Sequence, residues 1–149
     1  MNRKILKNIL LGAWFIFLFY VLFIPNKVHR EGMVDQEQLS NKIFGEYDSY
    51  NFKIVFTKEI TLSSTAKVKK VDLSQNTMAN KIDLLKDSGW SYGNGAKDDQ
   101  VILCNGKKNM MMIVFPRKIN YKDGRKRELD DLKYWIINYV YAYKGVEYC

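Results

Sequence analysis

Histidine is almost absent from this sequence, and its scarcity excludes most of the chemistry that small enzymes use. The only histidine among the 149 residues is His29. A Ser-His-Asp triad or a Cys-His dyad therefore cannot be assembled in the rest of the chain. Cysteine is scarce too, and two cysteines without a nearby histidine make a poor metal site. The residues argue against an enzyme and predict no catalytic residue, no cofactor and no metal.

Three local patterns resemble catalytic or metal-binding motifs, and each has a simpler interpretation. Ser64 and Lys67 have the S-x-x-K spacing of penicillin-binding proteins, but the S-D-N and K-T-G elements are missing. The acid pairs at 98–99 and 130–131 occur in loop or helix-start sequence, where acids are ordinary caps. Three consecutive methionines at 110–112 cannot converge on one copper ion from a strand. None of these patterns indicates a site.

Charge is missing between Lys7 and Lys27, where the sequence reads ILLGAWFIFLFYVLFIP from residue 9 to residue 25. A helix over this stretch would cover roughly 25 Å of a hydrocarbon core about 30 Å thick. No small-residue cleavage site follows it, so the pattern predicts an uncleaved signal anchor; the alternative is a cleaved leader with an unusual site.

The flanking charges predict the orientation of that anchor. Arg3, Lys4 and Lys7 precede it without an acid among them, which places the N-terminus in the cytoplasm. We therefore expect a single-pass protein of a bacterial inner membrane. It would have a cytoplasmic stub at 1–8, a span at 9–25, a stalk at 26–38 and a periplasmic α+β domain at 39–149.

The two cysteines, Cys104 and Cys149, suit that compartment, because oxidising conditions favour a disulfide between them. The alternative is two unpaired thiols. Closing a loop of this size would stabilise the fold by about 4 kcal/mol in the chain-entropy model.

The predicted fold class is α+β, with one small mixed sheet and one or two packed helices. A first helix ends near Gly45, strand-like runs occupy 51–56 and 66–73, and a capped helix occupies 74–89. Asn105-Gly106 joins two apolar runs and predicts a hairpin with a tight primed turn.

The segment from 132 to 144 fits both a helical face and a strand face, although its aromatic and β-branched density favours a strand. Its rings suggest an apolar pocket for a small hydrophobic ligand, with core packing as the alternative use. The pocket residues would be Trp135, Tyr139, Tyr141 and Tyr143.

The chain is basic, with a formal net charge of +8. One predicted loop concentrates six of the cations: Arg117, Lys118, Lys122, Arg125, Lys126 and Arg127. In a periplasmic domain this loop would contact no nucleic acid, which leaves anionic lipid or an acidic protein surface as its partner. The alternative is a merely solvated loop.

The basic stub MNRKILKN, the single span, the small domain and the cysteine pair together form a layout that resembles a known group. These are the small bitopic partners of membrane-bound transcription regulators, the ToxS-, TcpH- and PsaF/MyfF-like proteins. The resemblance implies a domain that binds and stabilises or activates the periplasmic domain of such a regulator, and so controls fimbrial or virulence genes. The alternative function is a membrane-anchored immunity protein that neutralises a periplasm-acting bacteriocin.

Overall fold

The computed structural model of the chain describes residues 12–15, 30–97, 99–115 and 131–149. The described residues from 30 onward form an antiparallel sheet with two helices on one face. The helices are α1 (Gln36–Phe44) and α2 (Gln75–Asp87), and a 3-10 turn (Asp131–Lys133) precedes the last strand. The strands are β1 (Asn51–Lys58), β2 (Thr61–Lys69), β3 (Ser91–Tyr92), β4 (Gln100–Asn105), β5 (Asn109–Val114) and β6 (Tyr134–Ala142).

The sheet has six strands in the order β1-β2-β6-β5-β4-β3, and every neighbouring pair is antiparallel. The predicted mixed sheet is therefore wrong, and the described domain is mostly sheet rather than a balanced α+β arrangement. The physical reason lies in β6, which inserts between β2 and β5 and runs antiparallel to both. That long-range pairing leaves no parallel neighbour among the described strands.

The predicted membrane anchor is not supported. Of residues 9–25 only 12–15 lie within the described part of the chain. No helix in the described ranges is long and apolar enough to cross a membrane. The longest, α2, has 13 residues, whereas a span needs about 20. The transmembrane helix and the single-pass inner-membrane location are corrected accordingly, and the periplasmic placement inferred from them loses its basis.

Local signals place both helices. The Asp35 carboxylate accepts a hydrogen bond from the Gln38 amide at the start of α1, and the Ser74 hydroxyl accepts one from the Thr77 amide at the start of α2. Just beyond α2, Gly89 adopts a φ of +92°, which a glycine tolerates best.

The ambiguous C-terminal segment is a strand, because β6 alternates buried and half-buried residues along its whole length. The Asn105-Gly106 hairpin also forms, but not with the expected two-residue primed turn. Asn105 pairs with Asn109, so three residues make the loop, and of the pair only Gly106 has a positive φ.

The core lies between the helices and one face of the sheet, which we call the helix face. Phe44 of α1 and Met78 and Leu85 of α2 pack over Ile137 and Tyr139 of the central strand. On the opposite, open face the described residues form a small second cluster around Ile102 and Met110, which the C-terminal tail partly covers.

Candidate protein-binding surface

A disulfide joins Cys104 on β4 to Cys149, in agreement with the predicted pairing. It holds the tail against the open face, together with backbone hydrogen bonds from Val146 to Lys107 and from Asn94 to Tyr148. Both sulfurs are consumed in this bond, so neither cysteine is available as a nucleophile or ligand.

The four aromatic residues predicted to line a pocket do not meet in one. Trp135, Tyr139 and Tyr141 are buried core residues, while Tyr143 is half exposed beyond the end of β6. The Trp135 indole donates a hydrogen bond to the Leu73 carbonyl, and the Tyr141 hydroxyl donates one to the Glu31 carbonyl. These rings pack and tie segments together, as the alternative interpretation expects.

A cavity does lie between α2 and the sheet, and Trp135 is the one predicted pocket residue that lines it. Met78, Ile82, Ile113 and Phe115 supply most of its apolar wall. Its volume of about 190 Å³ is below the roughly 300–1,000 Å³ of small-molecule pockets. The cavity offers little room for a ligand of that size.

The pKa values of two tyrosines, the buried Tyr139 and the partly buried Tyr50, are raised. Burial raises the pKa of Tyr139, and burial is also the main cause of a raised pKa at Tyr50. Both side chains therefore stay protonated at neutral pH. Within the described ranges no three His, Cys, Asp or Glu side chains are grouped so that they could hold a metal ion.

The apparent S-x-x-K motif is divided between the two faces of β2. Ser64 is fully buried on the helix face, where its hydroxyl donates a 2.6 Å hydrogen bond to the Gln36 side chain. Lys67, three residues further on, lies on the open face, since side chains alternate along a strand. The two groups cannot act together.

All six residues of the predicted basic loop lie outside the described residues, as do Asp98 and Asp130. Their role as a partner-binding loop stays a prediction.

β1 lies at the edge of the sheet and exposes a run of apolar side chains. Its consecutive residues Ile54, Val55 and Phe56 are 51%, 62% and 42% exposed, and Ile60 in the following turn is 49% exposed. We call these four residues with Lys53 and Lys58 the β1 surface. Exposed apolar side chains beside an unpaired backbone edge are typical of a protein-binding site.

An irregularity in pairing explains why three adjacent apolar residues are all exposed. Ile54 pairs with Ser64 but Phe56 pairs with Ser63, so the register shifts by one residue at Val55. Such a bulge turns Ile54 toward the helix face and Phe56 toward the open face. Neither side chain is covered by α1 or α2.

Charged groups frame the β1 surface. The Lys58 ammonium lies 5.5 Å from the centre of the Phe56 ring, within the range of a cation–π contact. The Arg30 guanidinium donates hydrogen bonds to the Thr57 hydroxyl and the Lys58 carbonyl, which fixes the end of the strand.

The sequence identified the strand but not its role at the edge. The signal was present, because Ile54, Val55 and Phe56 break the apolar–polar alternation of a half-buried strand between two lysines. An unbroken apolar run is also the pattern of a central strand, so the sequence alone does not separate the two positions.

Comparison with known proteins adds no relative. No protein-family model matches the chain, and neither a curated protein nor a solved structure is significantly similar to it.

Proposed function

We propose that this domain is a non-enzymatic binding protein that engages another protein by adding a strand of that partner to β1. The observation that carries the proposal is an eight-residue edge strand with three consecutive exposed apolar side chains. A partner strand would satisfy the outer backbone groups of β1 and cover these side chains at the same time.

The two edges of the sheet differ in a way that favours β1. The opposite edge, β3, has only two residues, and short edge strands resist pairing with other chains. β1 is eight residues long and contains no proline. The sheet is therefore protected at one edge and open at the other.

The class of partner stays a prediction. A transcription regulator is one candidate, implied by the resemblance of the chain's layout, and a bacteriocin is the other. The genes beside the one that encodes this chain distinguish the two candidates. A regulator partner predicts an adjacent gene for a DNA-binding protein, and a bacteriocin partner predicts an adjacent toxin gene.

A photo-cross-linking amino acid at position 55 tests the binding surface in the full chain, expressed in its native host. The control position is Leu84, an exposed apolar residue on α2. We expect a discrete adduct from position 55 that is absent from position 84. The same adducts from both positions, or none from either, would count against the proposal.

A further inference from the structure

We infer that the occupant of β1 is an extended acidic segment of a different protein, and not a second copy of this chain. The inference rests on the proposed function and adds the chemistry of the partner. It is carried by the charges of the strands, by the faces on which they lie and by the register available to a second copy.

The described strands carry charge of one sign. None of the six contains Asp or Glu, and their only charged residues are Lys53, Lys58, Lys67 and Lys69. All four belong to β1 and its neighbour β2. The region beside the open edge is thus the basic part of the sheet, in a chain of net charge +8.

These lysines share the open face. Lys53 pairs with Thr65, Lys58 with Thr61 and Lys69 with Tyr134, and paired residues project to the same side of a sheet. The ion pairs Lys81–Glu46 and Lys86–Asp83 both lie away from β1 and involve neither Lys53 nor Lys58. Lys53 and Lys58 therefore remain available to carboxylates of a partner.

The bulge is what brings Lys53 and Lys58 to one face. Residues five apart on a regular strand project to opposite sides of the sheet. Because Val55 is an extra, unpaired residue, Lys53 and Lys58 instead project to the same side. On β2 their partners, Thr65 and Thr61, are four apart, with Ser63 opposite Phe56 between them. A partner strand without a bulge, paired with the outer edge of β1, would therefore face Lys53 and Lys58 with two residues four apart. Acidic residues at those two positions, with an apolar residue midway opposite Phe56, would complement this surface.

A second copy of the chain is a poor occupant. Because Val55 is the extra residue of the bulge, Lys53 and Lys58 lie symmetrically about Phe56 in the pairing, so the antiparallel two-fold register that brings Phe56 of one copy opposite Phe56 of the other also places Lys53 opposite Lys58. The two-fold symmetry repeats that lysine pair at the other end. Like charges directly opposite each other destabilise a pair of strands.

Two nine-residue peptides test the inference with the full chain. Both have threonine and valine at most positions; one carries glutamate at positions 3 and 7, and the other carries lysine there. Binding is measured by fluorescence anisotropy and located by hydrogen–deuterium exchange of the β1 amides. We expect the glutamate peptide to bind about tenfold more tightly or better, with slowed exchange in β1.

Charge reversal supplies the matched variants. Lys53→Glu with Lys58→Glu should reverse the preference between the two peptides. Lys97→Glu with Lys107→Glu makes the same change in net charge at exposed positions outside β1 and β2 and should leave the preference unchanged.

The outcomes separate the inference from the proposed function. Equal protection of β1 by both peptides would overturn the acidic partner and leave strand addition standing. Absence of binding and of β1 protection with either peptide would contradict both. Concentration-dependent dimerisation of the chain that protects β1 would identify a second copy as the occupant and overturn the inference.

Discussion

Gln36 of α1 accepts a 2.6 Å hydrogen bond from the hydroxyl of Ser64 on β2, and both side chains are buried. This bond fastens the first helix to the sheet one strand away from the proposed binding edge. Because neither group can reach water, each depends on the other.

Replacing Ser64 with alanine is expected to destabilise the domain by about 1–3 kcal/mol, since the buried Gln36 oxygen loses its donor. Urea unfolding followed by circular dichroism measures the change. Ser63→Ala, at a half-buried position on the open face, is the matched control and should alter the free energy of unfolding by less than about 0.5 kcal/mol. Equal losses in the two variants would contradict the importance of the bond.

Removing the disulfide with Cys104→Ser and Cys149→Ser should lower the free energy of unfolding by about 4 kcal/mol. The estimate follows from the chain-entropy model for a sequence separation of 45 residues. Reduction of the unaltered protein provides an independent measure and should give a similar loss. A stability that does not respond to reduction would show that the bond contributes little.

Gly93 is a further sensitive position, because the chain passes close to the disulfide there. A β-carbon at this residue would lie 2.8 Å from each of three atoms: Cys104 Sγ, Ile102 Cγ2 and the Tyr148 carbonyl oxygen. Gly93→Ala should therefore destabilise by about 1–3 kcal/mol. Thermal unfolding measures the change. Asn94→Ala, at the exposed neighbouring position, is the control and should have little effect on the unfolding temperature.

Alkaline pH should destabilise the fold through its buried phenols. Burial raises the pKa of Tyr139 above the value near 10 of an unfolded tyrosine. The folded state therefore resists deprotonation, so its stability is fully present below about pH 10 and falls as the pH rises beyond that value. Tyr139→Phe should weaken this fall in a series of unfolding curves, whereas Tyr92→Phe, at an exposed ring, should not. An unchanged pH profile in the Tyr139 variant would contradict the assignment.

The elements that the sequence predicted well are those with local signals. Caps, a terminal glycine and a 3.6-residue apolar period define α2, and Asn105-Gly106 defines the hairpin between β4 and β5. Two cysteines allow only one intramolecular bond, so their number determines the pairing, but the expectation that the bond forms rests on a periplasmic location that the structure does not support.

The elements that the sequence missed depend on distant partners. No local sequence pattern indicates that β6 inserts between β2 and β5. The sequence therefore predicts a mixed sheet, whereas the sheet is antiparallel. The apolar run of β1 fits a buried strand until its edge position is known. The anchor predicted at 9–25 is a separate case, because no helix in the described residues, which include only 12–15 of that stretch, is long and apolar enough to cross a membrane.

The most direct test of the binding edge is amide hydrogen exchange of the full chain with and without the protein captured by the cross-link at position 55. Strand addition predicts slower exchange concentrated in Asn51–Lys58. Protection elsewhere in the domain, with exchange in β1 unchanged, would contradict the account.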